Sequence, residues 1–137
     1  MKKDAMCKIG DIILVNRYKD KEKTLGRHSF VVISDENGEI HGLPYDIICN
    51  VFSSFKNEEQ KERKLSYSGN FPIANEDTHT NPDNGKSGYI KTDQLYYFNK
   101  NKIDYTVIGN IQPDIMNLVL EFIETSDFEI IPILDNL

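Results

Sequence analysis

Apolar runs alternate with polar segments along the first part of the chain. Residues 11–18 are rich in β-branched side chains and follow a glycine, and residues 29–34 form a second apolar run. Both runs predict buried strands because β-branched residues favour extended structure. The polar segment 19–26 between them predicts an exposed, mobile loop.

The next segments continue the strand pattern. The pair Asn37-Gly38 predicts a hairpin turn. We expect a third strand near Ile40 and a fourth at residues 45–52. Further strand-like runs cover residues 89–98 and 105–108.

Two segments between these strands have a different composition. Residues 56–64 contain helix formers with opposite charges three and four positions apart, which predicts a short exposed helix or an ordered loop. Residues 75–88 have almost no apolar side chains and predict a long surface loop.

A helix is predicted after Pro113. Apolar residues recur at helical spacing: Ile115, Leu118, Val119, Phe122 and Ile123. Met116 and Leu120 widen this stripe beyond a single face, so we expect the helix to pack on the barrel and also to help a partner contact. The apolar tail at residues 128–137 is expected to add an edge strand. Short strands closed by one helix favour a mainly β fold, a small and strongly bent barrel, over a parallel sheet.

Composition narrows the class of protein. The chain has 137 residues, enough for one domain with a core of its own. Cys7 and Cys49 lack close partners and predict buried free thiols rather than a disulfide. Because the chain shows neither a signal peptide nor a run long enough to span a bilayer, we expect a cytoplasmic protein.

Charge is distributed unevenly along the chain. The net charge is −6, yet residues 1–30 hold eight Lys/Arg against four Asp/Glu, a local balance of +4. The other 107 residues hold eight against eighteen, a balance of −10. An acidic total argues against broad nucleic-acid binding, whereas the asymmetry allows one local basic surface.

Nucleotide and metal motifs are not supported. Residues 85–87 (Gly-Lys-Ser) resemble the end of a phosphate-binding loop, but Thr80 stands where that motif needs a glycine. The three histidines and two cysteines do not have the spacing of a zinc site. We therefore predict no metal and no cofactor.

Polar residues at two strand ends are the candidates for chemistry. Arg27 lies before the second strand, and a guanidinium can bind a phosphate through two donors. Ser53 and Ser54 follow the fourth strand, where a hydroxyl can orient a phosphate or a reacting 2′-OH. Taken singly, such an arginine is more often a surface charge, and paired serines more often cap a turn or helix.

The order of these segments resembles the PemK/MazF family of toxin endoribonucleases. Residues 9–15 (Ile-Gly-Asp-Ile-Ile-Leu-Val) are similar to the family's Gly-Asp turn into a first strand. Residues 27–34 are similar to its second strand, and residues 47–53 to its third stretch, which ends in Thr or Ser. Residues 106–111 and the helix after Pro113 are similar to the end of the family's sequence.

The resemblance implies a fold and an activity. The fold is a small, strongly bent SH3-like β-barrel with a C-terminal helix, a single domain over residues 1–137 with a loop insertion at about 56–88. The activity is that of an endoribonuclease, a hydrolase acting on RNA phosphodiester bonds. It cleaves single-stranded mRNA sequence-selectively and without a metal, through attack by the substrate's own 2′-OH that leaves a cyclic phosphate and a 5′-hydroxyl. The implied assembly is a homodimer, silenced by a cognate antitoxin protein.

The resemblance also assigns roles to residues. The family's catalytic arginine falls on Arg27 and its catalytic hydroxyl on Ser53, or on Ser54 if the alignment shifts by one. His28 replaces the proline that follows the family's arginine, and an imidazole there could act as a supporting acid or base. Four lysines are expected to contact RNA phosphates: Lys19, Lys21, Lys23 and Lys86.

Two other interpretations stay open on the sequence. The first is a non-catalytic SH3-like barrel that binds RNA or a protein partner. The second is an unrelated structural or regulatory domain without a basic cleft. Whether Arg27 and the hydroxyl of Ser53 face one common groove discriminates among them.

Overall fold

The computed structural model describes residues 7–80 and 87–137, which form a mainly β protein. Two α-helices are present in these ranges, α1 (Glu58–Leu65) and α2 (Pro113–Glu124). The strands, in chain order, are β1 (Asp11–Val15), β2 (Tyr18–Asp20), β3 (Lys23–Leu25), β4 (His28–Ser34), β5 (Gly38–Ile40), β6 (Leu43–Tyr45), β7 (Ile47–Ser54), β8 (Asn70–Ile73), β9 (Thr78–Thr80), β10 (Gly88–Phe98), β11 (Tyr105–Ile111) and β12 (Ile131–Ile133).

One strongly curled sheet forms a half-barrel and organises the protein. Its strand order is β12-β10-β7-β4-β1-β11-β9, and β8 also pairs with β10. Neighbouring strands are antiparallel except β10 and β12, which are parallel. The predicted mainly β fold with a C-terminal helix is confirmed.

Both faces of the sheet are covered, because side chains alternate along each strand. In β1, Ile13 contributes to a core inside the curl that includes Phe30 and Tyr96. Its neighbour Ile12 points to the opposite face, where the second core includes Met116 of α2. The central strands are therefore held from both sides, and their ends are fixed in position.

The segment predicted as a mobile loop is instead an ordered hairpin, β2–β3. Its turn residues Lys21 and Glu22 both have positive φ, 49° and 71°. Asn136, distant in sequence, accepts a hydrogen bond from the backbone N–H of Lys19 at 2.6 Å and donates one to its carbonyl at 3.0 Å. These long-range bonds could not be inferred from local polarity.

A second hairpin is present, but its turn is displaced from the predicted one. Gly38 lies in β5, paired with Tyr45 of β6. The turn is formed by His41 and Gly42, whose φ values are 53° and 80°. A Cβ at position 38 would lie 2.3 Å from the hydroxyl of Tyr45, so the glycine is required for the approach of that ring rather than for the turn.

Residues 56–80 contain more regular structure than the sequence indicated. The predicted short helix is confirmed as α1, which has Asn57 as its N-cap and buries no residue of its own. Strand β8 was not predicted. The expected loop at 75–88 contains a 3₁₀ turn at Asn75–Asp77 and strand β9, which pairs with β11.

The helix after Pro113 is confirmed as α2, and one side of its apolar stripe is buried. Met116 and Val119 are its buried residues, whereas Leu118 is 52% exposed. The apolar stripe is wide, and only the position of the sheet decides which part of it is covered.

Three further expectations can be compared with the structure. The predicted edge strand near the C-terminus is confirmed as β12. Cys7 and Cys49 are buried free thiols, as predicted. Within the described ranges, none of the helices has the length and apolar character needed to cross a bilayer.

Candidate active-site groove

A groove of about 460 Å³ opens where three neighbouring strands end. Because β4 is antiparallel to both β1 and β7, its first residues lie beside the last residues of those two strands. Helix α1, which follows β7, forms another wall. The groove is lined by Leu14, Arg27, His28, Ser29, Phe52, Ser53, Ser54, Lys56, Gln60, Lys64 and Tyr89.

A histidine–serine pair spans the strand ends. Ser29 of β4 pairs with Phe52 of β7, so the next residues outwards, His28 and Ser53, come opposite one another. Their side chains are hydrogen-bonded, with 3.0 Å between His28 Nε2 and Ser53 Oγ. The imidazole is therefore directed at the hydroxyl, and the two polar groups can act as one unit.

The environment of His28 is apolar on its inner side. The ring centroids of Tyr18 and Phe30 lie 6.3 Å and 6.1 Å from that of the imidazole. Burial among these rings lowers the pKa of His28 below its ordinary value, because a charged imidazolium loses hydration there. The neutral imidazole is consequently the dominant form at neutral pH.

Arg27 lines the same groove and is exposed. Its backbone directly precedes β4, so its position follows from that strand and not from the flexible part of a loop. Ser54 also lines the groove, but it is exposed, whereas Ser53 is half-buried and bonded to His28. The arginine and both serines predicted from the sequence are thus brought together.

The position of Ser53 is fixed from behind by β10. Gly88 pairs with Ser54, and Tyr89 pairs with Ser53. A Cβ at position 88 would lie 2.1 Å from the carbonyl oxygen of Ser53, too close for any side chain to fit without displacing the strand. This glycine allows the close approach of the two strands at the groove.

A match to a protein-family model identifies the family of this chain. Residues 8–126 match the model of the PemK-like, MazF-like toxins of type II toxin–antitoxin systems. The chain belongs to this family. Membership implies the toxin of a toxin–antitoxin system, with an antitoxin partner and RNA as the general substrate, since toxins of this family are generally endoribonucleases. Neither the curated proteins nor the solved structures gave a match.

The groove of this PemK-like protein contains cations that sequence reasoning missed. Lys56, Gln60 and Lys64 line it from α1 and the residues just before it. Their spacing of four residues is visible in the sequence and places Gln60 and Lys64 on one helix face. Only the tertiary structure shows that this face borders Arg27 and Ser53.

Of the four lysines predicted to bind RNA, the three that the structure describes do not line this groove. Lys19 lies at a separate cavity beside Arg17 and Asn136, and Lys21 and Lys23 are exposed on the β2–β3 hairpin. Their contact with RNA stays a prediction. Lys86 lies outside the described residues.

The groove is electropositive on an acidic PemK-like protein. Among the described residues that line it, three are cationic, Arg27, Lys56 and Lys64, and none is Asp or Glu, although the net charge of the chain is −6. Across residues 7–80 and 87–137, His, Cys, Asp and Glu form no group of three or more that could hold a metal ion. A cationic groove with a neutral imidazole and a hydroxyl suits an anionic substrate that needs proton transfer.

Proposed function

We propose that this protein is a sequence-selective, metal-independent endoribonuclease that cleaves single-stranded RNA as the toxin of a toxin–antitoxin pair. The observation that carries the proposal is the convergence of Arg27 and the hydrogen-bonded pair His28–Ser53 on one groove. Family membership supplies the general activity. The groove contains the groups that this activity requires: an anion-binding arginine, a base and a hydroxyl.

In the proposed reaction the ribose 2′-oxygen forms a bond to the adjacent phosphorus while the bond from phosphorus to the 5′-oxygen breaks. Ser53 accepts the 2′-OH proton as its own proton passes to His28 Nε2, over the 3.0 Å hydrogen bond. The departing 5′-oxygen takes one proton from solvent, and His28 later returns one to solvent. The products are a 2′,3′-cyclic phosphate and a 5′-hydroxyl, and water is not consumed.

Arg27 has the electrostatic part in this reaction. Charge accumulates on the non-bridging phosphate oxygens as the fifth bond to phosphorus forms. A guanidinium is permanently charged and can donate two parallel hydrogen bonds to such oxygens. Because none of the described residues that line the groove is a carboxylate, none of them neutralises Arg27, whose charge can stabilise the transition state.

The proposal includes a cytoplasmic homodimer that a cognate antitoxin protein silences. Apolar side chains remain uncovered on the single chain, among them Ile9, Val107 and Leu118, at 42%, 44% and 52% exposure. Exposed apolar residues of this kind are favourable at a subunit or partner interface.

Cleavage of a long single-stranded RNA in EDTA tests the proposal. We expect the wild-type protein to give discrete fragments that bear 5′-hydroxyl and cyclic phosphate ends. Arg27→Ala is expected to reduce the rate by about 10²- to 10³-fold, the usual effect of removing one transition-state donor. Arg17→Ala removes an equal charge at the separate cavity and serves as the matched control.

Two results would contradict the proposal. One is intact RNA with the wild-type protein at both low and moderate salt, which would favour the non-cleaving barrel. The other is an equal loss of activity in Arg17→Ala and Arg27→Ala, which would mean that general charge rather than the groove is responsible.

A further inference from the structure

Helix α1 has features that the fold does not require. It spans Glu58–Leu65 and has no buried residue, so it contributes no side chain to either core. Yet it is closely tied to the protein. The side-chain amide of Asn70, the first residue of β8, donates a hydrogen bond to the carbonyl of Lys64 at 2.8 Å. Within the helical segment, Gln60 accepts a hydrogen bond from the backbone N–H of Lys56 at 2.7 Å.

The start of the helix is also anchored by an aromatic stack. The ring of Phe55 lies 5.3 Å from that of Tyr89 in a stacked arrangement, and the ammonium group of Lys61 lies 5.9 Å from the centroid of Phe55. Tyr89 lines the groove and pairs with Ser53. The helix is thus fixed relative to the histidine–serine pair, although it does not support the core.

The face that α1 presents to the groove is polar and cationic. Gln60 and Lys64 are one turn apart, about 6 Å along the helix axis, and Lys56 lies four residues before Gln60. Glu58, Glu59 and Glu62 belong to the same segment but do not line the groove. Lys64 of α1 and Lys56 before it therefore line the groove with Arg27, whereas the three carboxylates of α1 do not.

We infer that Lys56 and Lys64 form a phosphate-binding subsite for single-stranded RNA, which guides the strand along α1 on one side of the cleaved bond. The inference rests on the proposed function for the identity of the ligand. The chemistry is that of ammonium groups, which act as flexible point charges on backbone phosphates and are insensitive to base sequence. Arg27 would contact the reacting phosphate, and the two lysines its neighbours in the strand.

The test is the salt dependence of binding to a single-stranded RNA whose 2′-positions are methylated, so that it cannot be cleaved. Each phosphate contact on a single strand contributes a slope of about −0.7 to log K against log salt. Lys56→Gln and Lys64→Gln should each make the slope shallower by about 0.7, and the double variant by about 1.4. Each single variant should weaken binding about two- to fivefold, in the range of an exposed charge pair.

Arg63→Gln is the matched control. Arg63 lies next to Lys64 in the last turn of α1, is exposed, and does not line the groove. Both substitutions remove one positive charge from the same helix end, so any effect on helix stability should be similar. We expect Arg63→Gln to keep the wild-type slope, and circular dichroism should give the same helix content for both variants.

The failure of this inference and that of the proposed function are distinguishable. Cleavage by the wild-type protein with unchanged slopes in both lysine variants would overturn the subsite and leave the nuclease intact. A wild-type protein that binds the methylated RNA with lysine-dependent slopes but never cleaves unmodified RNA would keep the subsite and overturn the nuclease. Equal slope changes in Arg63→Gln and Lys64→Gln would overturn the subsite, because general charge would then explain the binding.

Discussion

Two cationic cavities lie on this protein, and they differ in what surrounds their charges. Over residues 7–80 and 87–137, the lining of the active-site groove has three cations and no carboxylate. The second cavity, about 330 Å³ and called here the clamp pocket, is lined by Arg17, Lys19 and Lys102 but also by Asp135. Similar numbers of positive groups therefore have different electrostatic surroundings.

The polar groups of the clamp pocket are engaged within the chain. Asn136 bonds both backbone groups of Lys19, and Asp135 accepts a hydrogen bond from the backbone N–H of Glu22 at 3.2 Å. On the far side of the same hairpin, the hydroxyl of Tyr96 donates to Asp20 at 2.9 Å. These bonds attach the β2–β3 hairpin to the C-terminal segment. The lysines of the hairpin and the cations of the groove therefore occupy separate places in the fold, which their order in the sequence does not show.

After the loss expected for Arg27→Ala, the next largest effect that should separate the two cavities comes from the histidine–serine pair. Ser53→Ala and His28→Ala should each lower the rate of RNA cleavage about 100-fold, the usual magnitude for a proton-transfer group. Because the two residues act as a unit, the double variant should be little worse than either single one. Single-turnover cleavage measures this, and Thr24→Ala in the clamp pocket provides the control. Losses that multiply in the double variant would show that the two residues act independently.

Ser54→Ala should reduce the cleavage rate less than Ser53→Ala does. Comparing the two variants decides which serine supplies the catalytic hydroxyl.

The pH dependence of the cleavage rate should be a smaller effect, and it should arise from the groove alone. Burial lowers the pKa of His28 below 6.5, so the base is neutral at pH 7 and becomes protonated only in more acidic solution. The cleavage rate should fall about tenfold for each pH unit below that lowered pKa. His28→Gln should show no such decline in its residual activity, whereas an identical acid limb in that variant would assign the titration to another group.

The same shift affects stability, with the sign that follows from linkage. The unfolded state binds the proton more readily than the folded state, so the stability that neutral His28 contributes is present above pH 6.5 and is lost as the pH falls through the lowered pKa. Unfolding in urea at several pH values should show a weaker acid dependence for His28→Gln than for the wild-type protein.

The smallest predicted effect lies in the clamp pocket and concerns stability alone. Asn136→Ala removes two hydrogen bonds to the backbone of Lys19, which should lower the free energy of unfolding by about 1–2 kcal/mol. The cleavage rate should stay within twofold of that of the wild type. Asn101→Ala, an exposed asparagine outside both cavities, is the control for urea unfolding. A large loss of cleavage in Asn136→Ala would mean that the hairpin takes part in catalysis.

Local sequence patterns determined a large part of the fold. Runs of apolar and β-branched residues predicted the strands that became β1, β4, β7 and β10, because such runs are typical of buried strands. Opposite charges at helical spacing predicted α1, and Pro113 with its apolar repeat predicted α2. The position of the hairpin turn was predicted less well. The turn lies at His41 and Gly42 because Gly38 pairs with Tyr45.

The candidate site was likewise predicted only in part from the sequence. Sequence order and family resemblance were enough to select Arg27 and Ser53, because they lie at the ends of recognisable strands. The tertiary structure decided the rest: strand register placed His28 opposite Ser53, and the anchoring of α1 brought Lys56 and Lys64 to the same groove. His28 and Ser53 are 25 positions apart and meet only through strand pairing. The lysines beside and on α1 can act on the substrate only because the helix lies against the groove. Such contacts are set by packing across the whole sheet, which local sequence does not encode.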